Sequence, residues 1–300
     1  FKKENKFDEV LLKEALALVE DEFQAYDHQS SGIEFALKNN RGIVVSATAS
    51  GKSFILYVIA MYYLLLGCKK ILLIVPRTQL VEQLSKDFLS YHKGDKKSFE
   101  SLFELIYSGS KKNNNSSLVF STWQSIHNNP PEFFEDFDVV LFDEAHMAKS
   151  KSLTSIMEKC SNAKFKFGFT GTLTNQDEES EINTLVLKGL FGKIETVSTN
   201  KDLMDKGILT PAVINLIRLK YTDKELCKLI LKGTKEIMVI KSYSERRKKL
   251  FEAEVGYIID SEERNNFVSE LSLSLKGNSF VLFQFERHGK KLFETLKNVD

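Results

Sequence analysis

Residues 42–66 read GIVVSATASGKSFILYVIAMYYLLL, and this segment is the most informative one for predicting the fold. It begins with an apolar run rich in Val and Ile, as in a buried strand, and it ends with the thirteen consecutive apolar residues 54–66. The loop between them, SATASGKS at 46–53, consists of small and hydroxyl residues followed by Gly-Lys-Ser. A phosphate-binding loop requires this order of strand, loop and helix, so we predict that a phosphate binds at 46–53.

Each residue of this phosphate loop has a predicted role. Small side chains let the backbone N–H groups of residues 49–52 converge on phosphate oxygens, and the start of the following helix adds partial positive charge. The Lys52 ammonium would reach the β- and γ-phosphates, and the Ser53 hydroxyl would bind Mg²⁺. The nucleotide-binding residues predicted in the loop are Thr48, Ala49, Ser50, Gly51, Lys52 and Ser53. The general pattern G-x-x-x-x-G-K-[ST] has Gly where this chain has Ser46, so on this motif alone a chance Gly-Lys-Ser stays open.

Strand-like and helix-like stretches alternate around this loop. Short apolar runs recur at 42–47, 70–75, 102–107, 117–121, 138–142 and 165–169. Helices are predicted at 8–25, 27–39, 52–66, 77–92, 122–128 and 152–160. This alternation predicts an α/β fold with a parallel sheet, and the continuously apolar strands predict that helices cover both of its faces.

A pair of acidic residues ends the fifth apolar run, which reads DVVLFDEAH at 138–146. A carboxylate at the carboxyl end of a strand near a phosphate loop is well placed to hold Mg²⁺, and we assign this role to Asp143. Glu144 is predicted to act as general base or to orient the attacking water, and His146 to contact the nucleotide or the coupling elements. Taken alone, the pair could equally be an ordinary surface strand end.

The composition bounds the class of protein. The chain has 300 residues, of which 42% are apolar and 28% charged, as in a globular protein. The formal net charge of +1 excludes a strongly basic coat protein, although it is compatible with a local basic surface. Three widely spaced cysteines favour neither a disulfide scaffold nor a zinc site. The longest apolar run is shorter than the ~20 residues that cross a bilayer, so we expect a cytoplasmic protein without a membrane partner.

The two motifs together resemble those of superfamily-two helicases, and in particular the phage UvsW type, related to Rad25 and RecG-like DNA remodelling motors. The resemblance runs from about residue 20 to the end of the chain. It implies a P-loop NTPase with a RecA-like parallel sheet flanked by helices, and ATP with Mg²⁺ as its cofactors. The first loop position is often not Gly in that superfamily, so Ser46 is compatible with the motif.

Further site residues are implied by the same resemblance. Gln29, in AYDHQ, matches a glutamine that reads adenine. VPRTQLVEQ at 75–83 and STWQS at 121–125 resemble segments that contact the nucleic-acid backbone, through Arg77, Thr78, Gln79, Thr122 and Gln124. FTGTL at 169–173 resembles the motif that couples ATP hydrolysis to lobe movement, with Thr170, Gly171 and Thr172 as its residues. We expect the hydroxyl groups of this coupling motif to bond the acidic pair when ATP is present.

The resemblance also divides the chain. We expect an N-terminal helical segment at 1–24, the first RecA-like ATPase lobe at 25–210, a linker and charged helical region at 211–278, and the start of a second RecA-like lobe at 279–300. Within the last range, SFVLFQF at 279–285 is a predicted strand. The family's second-lobe motif Q-x-x-G-R-x-x-R does not occur in these 300 residues. Because its arginines stabilise charge on the γ-phosphate, we expect this chain to bind ATP but to hydrolyse it slowly by itself.

The leading hypothesis is an ATP-driven DNA motor that unwinds or remodels forked or branched DNA in replication, recombination or repair. We expect single-stranded, forked or branched DNA as partner, RNA as the disfavoured one, and a monomer. An RNA helicase and a nucleotide-switched binding module without unwinding activity stay open as alternatives, whereas a P-loop kinase leaves the other motifs without a role. The basic stretches Lys111–Lys112 and Arg246–Lys249 would either extend the nucleic-acid footprint or be solvated surface.

Overall fold

The computed structural model describes residues 7–107, 116–147, 150–171, 173, 178–211, 213–220, 222 and 242–297. The chain divides into two compact units, Phe1–Ala212 and Val213–Asp300. The domain boundaries predicted from the sequence, at 24, 210 and 278, stay predictions. Lys111, Lys112 and Thr172 lie outside the described residues.

The first unit is built on a seven-stranded sheet. Its strands are β1 Arg41–Ser46, β2 Ile71–Val75, β3 Phe103–Ile106, β4 Leu118–Thr122, β5 Val139–Phe142, β6 Phe165–Thr170 and β7 Lys193–Ser198. Their order across the sheet is β3-β4-β2-β5-β6-β1-β7, and every neighbouring pair is parallel. The predicted parallel α/β fold is confirmed, and each of the six predicted apolar runs forms a strand.

Helices connect the strands. They are α1 Glu9–Ala17, α2 Asp27–Lys38, α3 Lys52–Leu65, α4 Thr78–Tyr91, α5 Lys96–Glu100, α6 Trp123–Ile126, α7 Ser150–Lys159, α8 Glu178–Phe191 and α9 Asn200–Asp205. Short 3-10 helices lie at Pro131–Phe133 and Ala145–Met147. The helix predicted over 8–25 ends earlier than expected, since α1 stops at Ala17. The residues that follow form backbone hydrogen bonds with the chain at the end of α4. The Glu20 N–H donates to the Tyr91 carbonyl at 2.8 Å, and the Lys93 N–H donates to the Leu18 carbonyl at 2.7 Å.

Apolar residues cover both faces of the sheet, as predicted. On one face α3 buries every residue from Phe54 to Tyr63, which explains the long apolar run in the sequence. On the other face Phe134, Phe142, Ile156 and Phe191 are fully buried. Burying a large apolar side chain contributes about 2 kcal/mol, so these two layers hold the strand ends in fixed positions. Among the described residues, no helix is long and apolar enough to cross a membrane.

Strand β7 was not indicated by the sequence. Its side chains are mostly exposed or half-buried, because it is an edge strand that pairs with β1 alone. The register between the two strands shifts at Val45/Ser46, so that Ser46 lies opposite Ser198. This irregularity brings the end of β7 to the start of the phosphate loop.

The described part of the second unit contains α10 Tyr243–Asp260, α11 Glu262–Ser274 and α12 Glu286–Lys297. The Asp260 carboxylate accepts hydrogen bonds from Arg287, at 2.6 Å, and from Lys291, which ties the end of α10 to α12. The predicted strand at 279–285 is not formed. A strand needs a neighbour with which to exchange backbone hydrogen bonds, and the described residues of this unit form no other strand. Phe280 and Leu282 are almost fully exposed as a result.

Candidate functional site

The predicted site residues follow three adjacent strands. The phosphate loop follows β1, Asp143 follows β5, and Gly171 follows β6. Because these strands are parallel neighbours in the order β5-β6-β1, their carboxyl ends meet at one edge of the sheet. Residues more than a hundred positions apart in the chain therefore form one site.

The backbone of the phosphate loop is shaped to surround an anion. Ala49 has φ 60° and Gly51 has φ 77°, both in the left-handed region. Where left-handed and right-handed residues alternate, successive backbone N–H groups point into one concavity, and such concavities bind phosphate. A Cβ atom at Gly51 would lie 2.3 Å from Gln29 Nε2. The loop thus fits a phosphate group, and the site requires glycine at position 51.

Lys52 joins the loop to the acidic pair. Its side chain is 9% exposed, and its Nζ lies 3.3 Å from Glu144 Oε1. The same ammonium donates to the carbonyl oxygens of Ser46, at 3.3 Å, and Ala47, at 3.4 Å. Its charge is therefore held over the concavity of the loop.

The two carboxylates crowd each other. Glu144 has φ 49°, and its backbone N–H donates to Asp143 Oδ1 at 3.0 Å. Burial and the neighbouring Glu144 carboxylate raise the pKa of Asp143 to about 6, although Lys52 and the Glu144 N–H act in the opposite direction. Two adjacent carboxylates beside a single ammonium leave excess negative charge. This donor set fits a hard divalent cation such as Mg²⁺.

The coupling motif contacts Glu144 directly. The Gly171 N–H donates to Glu144 Oε2 at 3.3 Å, and His146 Nδ1 lies 3.4 Å from the same oxygen. The Thr170 hydroxyl lies 2.7 Å from His146 Nδ1, so it reaches the acidic pair through the imidazole. A Cβ atom at Gly171 would approach Thr48 Oγ1 to 3.0 Å, which shows how closely the motif packs on the phosphate loop.

Gln29 is held against the phosphate loop. Its amide nitrogen donates to the Ser50 carbonyl at 3.0 Å, and its amide oxygen accepts from the Tyr26 N–H at 3.0 Å. His28 Nε2 also lies 2.9 Å from the Ser50 carbonyl, and the Tyr26 ring stacks on the His28 ring with 5.7 Å between centroids. The sequence did not single out Tyr26, whose N–H bonds the predicted adenine reader, or His28, which contacts the same Ser50 carbonyl as Gln29.

A chain of buried hydroxyl groups supports the loop from below. Ser46 Oγ lies 2.7 Å from Ser50 Oγ and 3.1 Å from Ser198 Oγ, and Ser198 Oγ accepts the Ala47 N–H at 3.2 Å. All three serines are at most 4% exposed. The general motif has glycine at the position of Ser46. In this chain the Ser46 hydroxyl forms a hydrogen bond with Ser198, the last residue of β7. Sequence reasoning missed Ser198, because nothing in the chain marks a serine 152 residues from its partner.

The predicted nucleic-acid contacts fall into two groups. Arg77, Thr78 and Gln79 are exposed at the start of α4. A cavity of about 330 Å³ is lined by Thr48, Pro76, Arg77, Gln79, Leu80, Glu144, His146, Met147 and Gly171. Thr122 is 3% exposed and caps α6 by accepting the Ser125 N–H, while Gln124 donates to the Pro76 carbonyl at 3.1 Å. The phosphate contacts of Thr122 and Gln124 therefore stay predictions, and their side chains already have partners within the protein.

The family model described as type III restriction enzyme, res subunit (ResIII) matches residues 12–175, more than half of the chain. The chain belongs to the ResIII family. It is 32% identical over 295 residues to the "ATP-dependent DNA helicase uvsW" of Enterobacteria phage T4, covering 97% of this chain and 55% of that protein. It is 23% identical over 170 residues to the "DNA 3'-5' translocase XPB2" of Sulfurisphaera tokodaii, covering 57% of this chain and 36% of that protein.

The crystal structure of T4 UvsW superposes on this ResIII chain with a TM-score of 0.57 at 29% identity, covering 99% of this chain and 56% of that chain. These matches confirm the resemblance to UvsW-type superfamily-two helicases and the RecA-like sheet. The ResIII chain spans about half or less of the length of the curated relatives it matches.

Proposed function

We propose that this ResIII chain forms the ATP-binding part of the ATP-hydrolysing motor of a superfamily-two DNA helicase or translocase. One observation carries the proposal: Glu144 contacts Lys52 of the phosphate loop through one oxygen and Gly171 of the coupling motif through the other, at 3.3 Å each. A group that links nucleotide binding to a moving element is what a motor needs, and a simple nucleotide-binding protein has no use for it.

ATP would bind with its phosphates in the concavity of the loop. The N–H groups of residues 49–52 and the Lys52 ammonium would hold the β- and γ-phosphates, and Gln29 would face the adenine. Ser53 and Asp143 would hold Mg²⁺, which neutralises charge that develops on the phosphates. His146 and Thr48 would border the γ-phosphate, since both line the same cavity.

Glu144 would orient the attacking water and accept its proton. In the structure Lys52 lies 3.3 Å from this carboxylate. Once Lys52 turns to the phosphates, one oxygen of Glu144 is free to accept a hydrogen bond from water. The other oxygen would keep the Gly171 N–H, so that a change in charge at Glu144 is transmitted to β6 through Gly171 and Thr170.

The nucleic-acid strand would be held by its phosphates, without reading of sequence. Arg77, Thr78 and Gln79 would contact the backbone at the start of α4, and Thr122 and Gln124 would extend the contact. The names of the relatives, a DNA helicase and a DNA translocase, favour DNA over RNA. We propose forked or branched DNA as substrate, in replication, recombination or repair, and a monomer that works in the cytoplasm, which is the host's if the chain comes from a phage.

The experiment is ATP hydrolysis by the full-length protein with single-stranded, duplex and forked DNA and with matching RNA. Strong stimulation by forked DNA would support the proposal, and stimulation by RNA alone would move the protein to the RNA helicases. Hydrolysis that no nucleic acid changes would leave a nucleotide-switched module. Lys52→Ala is the control for contaminating ATPases.

A further inference from the structure

The predicted Mg²⁺ ligand Ser53 has a partner on α4. Its hydroxyl lies 2.9 Å from the Tyr91 hydroxyl. A side chain near the end of α4 therefore contacts a hydroxyl of the phosphate loop.

Packing fixes the direction of the Tyr91 hydroxyl. The Tyr91 ring meets Phe23 edge-on at 4.9 Å and Phe54 edge-on at 5.4 Å, and it lies 5.7 Å from the Tyr57 ring. Such aromatic contacts allow little rotation of the ring. The oxygen of Tyr91 is thus presented to Ser53 by a rigid support.

A hydroxyl that binds a cation must give its proton to another acceptor, because its lone pairs face the metal. A ligand oriented by a hydrogen bond from outside the coordination sphere binds its metal more tightly. The Tyr91 oxygen can accept the proton of Ser53, and it approaches Ser53 from the α4 side.

We propose that Tyr91 is a positioning residue, which orients Ser53 as a Mg²⁺ ligand and thereby sets the Mg²⁺ dependence of nucleotide binding. This inference rests on the proposed function, since it assumes that Ser53 binds Mg²⁺ beside ATP. It also extends that function. Arg77 directly precedes α4, so a strand bound at Arg77 acts on the helix that carries Tyr91. Nucleic acid and Mg²⁺-nucleotide then affect each other's affinity by the same factor.

Tyr91→Phe tests the proposal, because it removes the hydroxyl and keeps the ring that packs on Phe23 and Phe54. Tyr57→Phe is the matched control. It removes a second hydroxyl from the same aromatic cluster, one that bonds the Leu18 carbonyl at 2.9 Å and His92 at 3.0 Å. The full chain is titrated with ADP in Mg²⁺ and again in EDTA, and binding is followed by calorimetry without any turnover.

We expect Tyr91→Phe to reduce the Mg²⁺-dependent gain in ADP affinity by about tenfold, and to leave the affinity in EDTA unchanged. Tyr57→Phe should match the wild type. A Tyr91→Phe protein with the full Mg²⁺ gain, folded as judged by circular dichroism, would overturn the inference. The proposed function fails separately, if the wild type itself binds ADP no better in Mg²⁺ than in EDTA.

Discussion

Lys52 Nζ and Glu144 Oε1 lie 3.3 Å apart, so the lysine of the phosphate loop is paired with the predicted general base. This contact joins two residues that lie ninety-two positions apart in the chain, and both side chains are largely shielded from water. This ion pair fixes the positions of both side chains in the absence of nucleotide. A bound triphosphate would compete with Glu144 for Lys52, so nucleotide binding itself would prepare the base.

The first prediction concerns Lys52→Ala. We expect ATP hydrolysis to fall below detection, because the variant loses the charge that holds the β- and γ-phosphates. The protein should stay folded, since the large apolar core of α3 is untouched. Hydrolysis is measured with a phosphate-release assay, and Lys38→Ala, at an exposed lysine of α2, is the control. Retained hydrolysis in Lys52→Ala would place the ATP site elsewhere.

The second prediction concerns Glu144→Gln. The amide cannot accept a proton from water, so we expect turnover to fall by about 10²–10⁴-fold. Nucleotide affinity should stay within about threefold of the wild type, because the amide keeps the size of the side chain. Single-turnover hydrolysis and binding of a fluorescent nucleotide separate the two effects. Equal loss of binding and turnover would assign Glu144 to phosphate binding instead of water activation.

The third prediction concerns Ser198→Ala, which removes the acceptor of the Ala47 N–H. An unsatisfied buried donor costs about 1–3 kcal/mol, and part of this cost would appear as weaker nucleotide binding. We expect ATP affinity to fall about fivefold beyond any loss of stability. Ser85→Ala is the matched control, because Ser85 is also buried and its hydroxyl bonds the Glu82 carbonyl of its own helix. If both variants bind ATP alike, Ser198 has no role in the loop.

The fourth prediction concerns Asp143 and pH in the absence of divalent cations. Burial raises the pKa of Asp143 in the folded protein from its usual 3.8 to about 6. Its contribution to stability is therefore fully present below pH ~3.8 and is lost as the pH rises through ~6. Asparagine does not ionise, so Asp143→Asn should not lose stability as the pH rises.

We therefore expect Asp143→Asn to be more stable than the wild type at pH 7 by about 3 kcal/mol, and to match it near pH 3.5. Urea unfolding in EDTA at several pH values checks this expectation. A constant difference between the two proteins across the pH range would show that Asp143 ionises normally.

The fifth prediction concerns Arg77→Ala. Loss of one phosphate contact should weaken DNA binding about tenfold and reduce the slope of log affinity against log salt by about one. Fluorescence anisotropy with forked DNA at several salt concentrations measures both. Lys86→Ala, at another exposed cation of α4, is the control. An unchanged salt slope in Arg77→Ala would remove Arg77 from the DNA contact.

Local sequence was sufficient to predict most of the core elements. The apolar runs ended by GKS and DEAH predicted β1, α3 and β5, because burial demands continuous apolar residues and the loop demands small ones. Local sequence was insufficient for elements whose hydrogen-bonding partners are distant along the chain. Strand β7 is polar and pairs at an edge, and the early end of α1 depends on backbone bonds to Tyr91 and Lys93. The strand predicted at 279–285 was wrong, because apolar residues form a strand only beside another one.

The same division holds for the site. Lys52, Asp143, Glu144 and Gly171 could be assigned to motifs of one family from the sequence, since each motif consists of neighbouring residues. Which of these residues are in contact depends on the tertiary structure. The parallel order β5-β6-β1 brings Glu144 between Lys52 and Gly171. The contacts of Ser198 with Ser46 and of Tyr91 with Ser53 depend on a register shift and on helix packing, which act between distant segments and leave no pattern along the chain.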